Sequence, residues 1–279
     1  MTRVLVTGGT GKTGSRVMQA LRGNDIECIA ASRRGGDQGS VRFDWFDAGT
    51  WETALRGITS AYLVAPTGAP YPEEVMVPFI ERAIASGTSR FVLLSASLLE
   101  RGDPGLGQVH AWLAESEVNW SVLRPSWFMD NFAEGRHLRD VREHSRIISA
   151  TGSARVGFIS SEDIARAAVA LLSDPAAQSG DYILTGPEPI SYGDVARTMS
   201  ELIGRDIEHT SVPVEKLILE LKEAGLPVQY ARMLAGLDTL IASGAEDRAT
   251  PCVEQLTGRE PESFAAFAVR HAPLWLTVT

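Results

Sequence analysis

The sequence predicts an α/β protein: a doubly wound parallel sheet flanked by helices, followed by a smaller, mainly helical C-terminal lobe. Three observations carry this. Short apolar, β-rich runs alternate with helical stretches over residues 1–125. A glycine-rich turn, TGGTGKTG, joins the first such run to the first helical stretch. After Pro125 the regular alternation lapses. Parallel strands need crossover connections, and strand–helix repetition supplies them.

The elements follow in order. RVLVT (3–7) is apolar and closed by glycine, which marks a buried strand. Residues 12–22 place Val17, Met18 and Leu21 at helical spacing. IECIAAS (26–32) and VRFDWF (41–46) read as the second and third strands. TWETALRGI (50–58) reads as a short helix ending near Gly57. SAYLVAP (60–66) is a strand stopped by proline, and residues 72–86 form a helix whose Pro78 either delays its start or kinks it. RFVLLSAS (90–97), a helix over 107–116 and WSVLRP (120–125) complete the regular part.

Beyond Pro125, residues 126–145 read as mixed and helical. GFISSEDIARAAVALLSD (157–174) is a strand tip entering a helix, GDYILTG (180–186) a strand, and SYGDVARTMSELIG (191–204) a helix closed by glycine. Ser160 with Asp163, and Ser191 with Asp194, have capping-box spacing with Asp in the usual Glu position. The last 75 or so residues show no sheet pattern.

Composition narrows the function classes. The 279 residues are 44% hydrophobic and 22% charged, with a net charge of -9. An acidic chain lacks the basic face that nucleic acid requires. No apolar run reaches the roughly 18 residues of a membrane span. Two cysteines, Cys28 and Cys252, give neither a disulfide framework nor a metal spacing, so a reducing cytoplasm and no metal are expected. The N-terminal VLV is too short for a signal sequence.

The glycine turn admits two readings, and one fails. A triphosphate loop, G-x-x-x-x-G-K-[ST], ending at Gly11-Lys12-Thr13 would need glycine at position 6, where the strand residue Val6 stands. Gly8, Gly11 and Gly14 instead have the spacing of a dinucleotide turn. The first glycine leaves the strand, the second lets a pyrophosphate approach the backbone, and the third lets the helix pack close to the sheet. Ser32-Arg33-Arg34 follows the second strand, where an NAD-binding chain places an acid for the ribose 2′-hydroxyl. Two arginines there suit a 2′-phosphate, so NADP(H) is the expected cofactor. Residues 1–125, completed by strands within 145–186, are then the NADP-binding domain. Residues 126–144 and 187–279 are the substrate lobe.

TGGTGKTG, FDWFD, RFVLLSAS, LRPSWFMDNF, GFISSEDIA and YILTGPEPISYGDVA together resemble the NmrA-like group of atypical short-chain dehydrogenases over nearly the whole chain. LLERGDPGLGQVHAWLAESEVNWSVLRPSWFMDNF is closer to the festuclavine/agroclavine dehydrogenase-like branch. The resemblance implies a Rossmann sheet, with Thr10, Gly11, Lys12 and Thr13 at the pyrophosphate and Arg33 and Arg34 at the 2′-phosphate. It implies Asp44 and Trp45 at the adenine edge, Ala65 and Pro66 past the nicotinamide ribose, and Ser95 and Ala96 near the nicotinamide. Trp127, Phe128 and Asn131 would line the substrate side, or pack the lobe.

One departure bears on the chemistry. Short-chain dehydrogenases protonate the developing alkoxide with a Tyr-x-x-x-Lys pair. No such pair exists here: the only lysines are Lys12, Lys216 and Lys222, and the pair's positions fall at Gly102 and Leu106. Either hydride goes to an acceptor that needs no tyrosine proton, such as an imine/iminium or a quinone, or the chain is a non-catalytic NADP(H)-sensing regulator. His110 is the candidate proton donor, set against a packed helix histidine. Leu217, Leu221, Tyr230, Met233, Leu234 and Leu237 form an apolar stripe that either closes a pocket over a small-molecule substrate or fills the lobe's core.

Overall fold

The computed structural model describes residues 2–35 and 39–276. In chain order the elements begin with β1 (Arg3–Thr7), α1 (Lys12–Gly23), β2 (Glu27–Ser32), β3 (Ser40–Arg42), α2 (Trp51–Leu55) and β4 (Ser60–Leu63). There follow α3 (Glu73–Ala85), β5 (Arg90–Leu94), α4 (Leu106–Glu115) and β6 (Asn119–Pro125). After these come α5 (Gly135–His144), β7 (Arg146–Ser149), β8 (Arg155–Val156), α6 (Ser161–Ser173), β9 (Gly180–Leu184) and β10 (Ile190–Ser191). The chain ends with α7 (Tyr192–Ile203), β11 (Glu208–Ser211), α8 (Val214–Glu223), α9 (Val228–Ala242), α10 (Cys252–Thr257) and α11 (Phe264–Leu276). Two compact units result.

The first unit holds Met1–Pro125, Ser161–Leu184 and Cys252–Arg259. Its seven strands run parallel in the order β3-β2-β1-β4-β5-β6-β9. The order reverses between β1 and β4, which opens a crevice at their carboxyl ends. Leu5, Leu63, Phe91, Leu93 and Val122 are fully buried, as both-faces-covered strands require. Phe79 of α3 anchors an aromatic cluster with Phe43 at 5.1 Å, Trp45 at 5.1 Å and Trp51 at 5.5 Å, all edge-on. Such pairs contribute about 0.5–1.5 kcal/mol each beyond burial. Pro78 lies inside α3 without ending it.

The second unit holds Ser126–Ser160, Thr185–Pro251 and Glu260–Thr279. Here β7 pairs parallel with β11, and β8 pairs antiparallel with β10. The strands expected within 145–186 therefore do not all complete the central sheet: among the described residues only β9 does. Phe132, Phe158, Tyr192, Phe264, Phe267 and Trp275 build this unit's main core, and the Trp275 indole donates to the Phe132 carbonyl at 2.8 Å. Ser191 and Asp194 form the reciprocal capping box that opens α7.

Candidate cofactor and active site

Gly8 leaves β1 with φ +62° and its carbonyl accepts from Gly11 N at 2.8 Å. A Cβ on Gly14 would sit 2.2 Å from that carbonyl oxygen, so only glycine lets α1 start this close to the turn. No side chain caps α1, and its first turn holds no acidic residue. The leading N–H groups and the positive end of the helix dipole are thus turned to whatever fills the turn. This arrangement fits a dinucleotide's pyrophosphate. Thr10 is exposed at the tip, and Thr13 is buried beneath it. The buried Thr7 hydroxyl accepts from Val64 N at 2.7 Å. This ties the exits of β1 and β4 together at the switch point, a role the sequence reading missed. A lone hydroxyl closing an apolar strand was the available signal.

Arg33 and Arg34 are exposed at the end of β2. Ser32 before them accepts from Gly35 N at 3.2 Å, and Phe43 N donates to the Ser32 carbonyl at 2.9 Å. Asp44 is half-buried, with its carboxylate accepting from Phe46 N at 3.0 Å. Trp45 differs from expectation: its ring is in the aromatic cluster under α3 and only 8% exposed, so its backbone alone borders the sheet edge. The exposed ring of this segment is Phe46.

Ala65 and Pro66 follow β4 and are half-buried. Ser95 and Ala96 follow β5, with Ser95 N donating to the Leu123 carbonyl at 2.8 Å. Arg124 holds this loop. It is 4% exposed, donates to the Ser97 carbonyl at 3.0 Å and to Asp181 at 2.7 Å, and pairs with Glu100. The sequence reading took Arg124 only as part of a landmark.

His110 is not at an open mouth. It is 3% exposed in α4, against Trp120 near the amino end of β6 with ring centroids 5.5 Å apart. Burial pushes its pKa down, while the Asp181 charge opposes this. A neutral, packed imidazole is a poor proton donor. The sheet tyrosines Tyr62 and Tyr182 are pushed above the ordinary phenol value, chiefly by burial, and so away from acid catalysis. Gly102 has φ +91° in the loop before α4, and Leu106 opens α4.

Trp127, Phe128 and Asn131 lie in the second unit. Ile159 N donates to the Trp127 carbonyl and Met129 N to the Ile159 carbonyl, both at 2.9 Å, so the segment is held as a strand-like bridge. The Ser126 hydroxyl donates to the buried Glu246 carboxylate at 2.6 Å. All three side chains are half-buried. The apolar stripe splits: Leu217 and Leu221 are core, while Tyr230 and Met233 are each 49% exposed. Among the described residues no helix is long and apolar enough to cross a membrane, and no group of His, Cys, Asp and Glu is placed to hold a metal.

The comparisons agree with this frame. The NAD(P)H-binding family pattern matches residues 8–175, and the NmrA-like family pattern matches residues 108–265. The agroclavine dehydrogenase of Claviceps fusiformis is 38% identical, with 98% of each chain covered. Two solved structures share the fold. The triphenylmethane reductase of Citrobacter sp., complexed with NADP(H), gives a TM-score of 0.82 at 21% identity over 97% of this chain and 99% of that one. The NADPH-dependent quinone oxidoreductase of Escherichia coli, complexed with NADPH, gives 0.82 at 21% identity over 96% and 99%. The chain belongs to the NmrA-like family of NAD(P)H-binding oxidoreductases.

Proposed function

We propose that the chain uses NADPH to reduce a small apolar or aromatic acceptor, an imine/iminium or a quinone, without a Tyr-Lys pair. The observation that carries this reading is an intact, uncapped glycine turn in a chain with no Tyr-x-x-x-Lys. When bound, NADPH supplies the hydride. Gly8, Gly11 and Gly14 shape the turn that receives the pyrophosphate, with the backbone of Thr10 to Thr13 around it. Arg33 and Arg34, exposed beside Ser32, take the 2′-phosphate and set the preference for NADP(H) over NAD(H). Ala65, Pro66, Ser95 and Ala96 border the nicotinamide end, and Arg124 holds the last two by clamping the loop behind them. Trp127, Phe128 and Asn131 recognise the acceptor.

The absent pair is consistent with these acceptors. Hydride added to an iminium carbon gives a neutral amine and needs no proton at that step. A quinone takes one proton on oxygen, which solvent can deliver. The protein's contribution is then mainly proximity and orientation. The names of the relative and of the two fold neighbours, a clavine dehydrogenase, a dye reductase and a quinone reductase, support this class. The test is NADPH oxidation against panels of cyclic iminium ions, quinones and enones. Turnover confined to the first two is expected. Tight NADPH binding with no turnover on any panel would overturn the catalytic reading.

A further inference from the structure

Glu246, in the turn after α9, is fully buried and has no part in the reading above. Its carboxylate accepts from the Ser126 hydroxyl at 2.6 Å and pairs with the Arg248 guanidinium at 3.5 Å. Burying a carboxylate is costly even when it is bonded, and an apolar side chain of similar size fills a core at less cost. What needs explaining is therefore where its bonds go.

Ser126 is the residue at which the chain leaves β6, and Trp127 and Phe128 follow directly. The Glu246 main-chain carbonyl accepts from Gly157 N at 3.2 Å and from Arg248 N at 2.8 Å. An added Cβ on Gly157 would stand 2.4 Å from the Arg248 carbonyl oxygen, so the turn lies tightly against residue 157. Two residues on, Ile159 N donates to the Trp127 carbonyl and the Ile159 carbonyl accepts from Met129 N, both at 2.9 Å. Glu246 thus holds the 126–129 segment twice: by its side chain at Ser126, and by its main chain through residues 157–159. All of these residues lie in the second unit.

We propose that Glu246 is a positioning residue for the acceptor. Through the Ser126 hydroxyl it fixes the direction in which Trp127 and Phe128 leave β6, and so which acceptor shapes the chain reduces. This rests on the reading above that Trp127, Phe128 and Asn131 recognise the acceptor. A hydroxyl–carboxylate bond of this length is among the short, directional ones. Hydride transfer depends on alignment, so a small displacement of the segment that receives the acceptor alters the rate. Substituting the side chain leaves the main-chain bonds of residue 246 in place, so a variant isolates the carboxylate.

The experiment measures kcat/KM for a fused-ring acceptor relative to a single-ring one, at saturating NADPH. The pairs are menadione against duroquinone, and an N-methyl dihydroisoquinolinium against an N-methyl pyrrolinium ion. The proteins are the full chain, Ser126→Ala, Glu246→Ala, Glu246→Gln and the Ser126→Ala/Glu246→Ala double variant. A merely structural role would lower the folded fraction, which cancels in this ratio. The expected result is a ratio shifted about fivefold in each alanine variant, the equivalent of one net hydrogen bond. The double variant should shift no further, because both substitutions remove the same bond. Glu246→Gln keeps an oxygen for Ser126 and should stay near the unsubstituted ratio. NADPH Kd, from a fluorescence titration, should be the same in all five proteins. Should Glu246→Ala melt before the assay temperature, Ser126→Ala decides alone. An unchanged ratio in the folded alanine variants overturns the positioning role. So do additive shifts in the double variant, a Glu246→Gln shift as large as that of Glu246→Ala, or NADPH binding that weakens in step. An unsubstituted chain that reduces neither pair overturns the proposed function, and the positioning role with it.

Discussion

Gly14→Ala tests the close approach of α1 to the turn. The new methyl would stand 2.2 Å from the Gly8 carbonyl oxygen, 2.7 Å from its carbonyl carbon and 3.0 Å from Gly9 Cα. All three are backbone atoms, so no rotamer change relieves the clash. Overpacking of this kind costs about 1–3 kcal/mol. Replacing a helical glycine with alanine returns up to about 1 kcal/mol. A net loss of about 1–2 kcal/mol is expected. Gly23→Ala is the control in the same helix, since nothing lies within 4 Å of its added Cβ. That variant should be neutral or up to about 1 kcal/mol more stable. The second readout is ligand-induced stabilisation. At NADPH one hundred times the wild-type Kd the gain is about 2.7 kcal/mol, and a tenfold weaker Kd reduces it to about 1.4 kcal/mol. Urea unfolding with and without NADPH measures both. A Gly14→Ala chain as stable as wild type, with the same NADPH-induced gain, would refute the packing argument.

Three further outcomes follow from the geometry. Replacing Arg33 and Arg34 with alanine should weaken NADP(H) about ten- to a hundredfold while leaving NAD(H) nearly unchanged, since charge-assisted contacts are worth about 1.5–3 kcal/mol. Equal losses in a fluorescence titration would remove the 2′-phosphate assignment. Arg124→Met should cost about 1–3 kcal/mol in chemical denaturation, because the Ser97 carbonyl loses its buried donor and the two carboxylates lose their cation. That is less than for a fully buried pair, since Glu100 and Asp181 are 67% and 40% exposed. Half-buried His137 is held well below the ordinary value of 6.5, first by desolvation and then by Arg136 and His209. The unfolded chain therefore takes up its proton first, so this contribution is fully present above pH 6.5 and is lost as pH falls below it. The slope is up to about 1.4 kcal/mol per pH unit. His137→Gln should flatten that slope in melts between pH 7 and pH 5, roughly one unfolded-state titration range, and an unaltered slope would count against it.

Sequence alone determined the parts that depend on neighbours along the chain. Apolar runs, helical spacing, Pro66 after β4, Pro125 at the end of β6, and the Ser191–Asp194 box are local, so the parallel sheet and the glycine turn are legible in the sequence. Val6 excluded the triphosphate loop for the same reason: it belongs to β1. Tertiary packing decided the rest. EHTS (208–211) carries no apolar alternation and becomes β11 only because β7 lies alongside to pair with it. Both strands then belong to the second unit rather than to the central sheet. His110 and Trp120 approach across α4 and β6, which sets the histidine's burial and no spacing reveals it. In DWF, two adjacent aromatics have the same composition signal. Packing against Phe79 buries Trp45, and the turn around Asp44 turns Phe46 outward. A side chain's direction depends on what lies across from it, and that partner is set by long-range contacts which one-dimensional pattern does not contain.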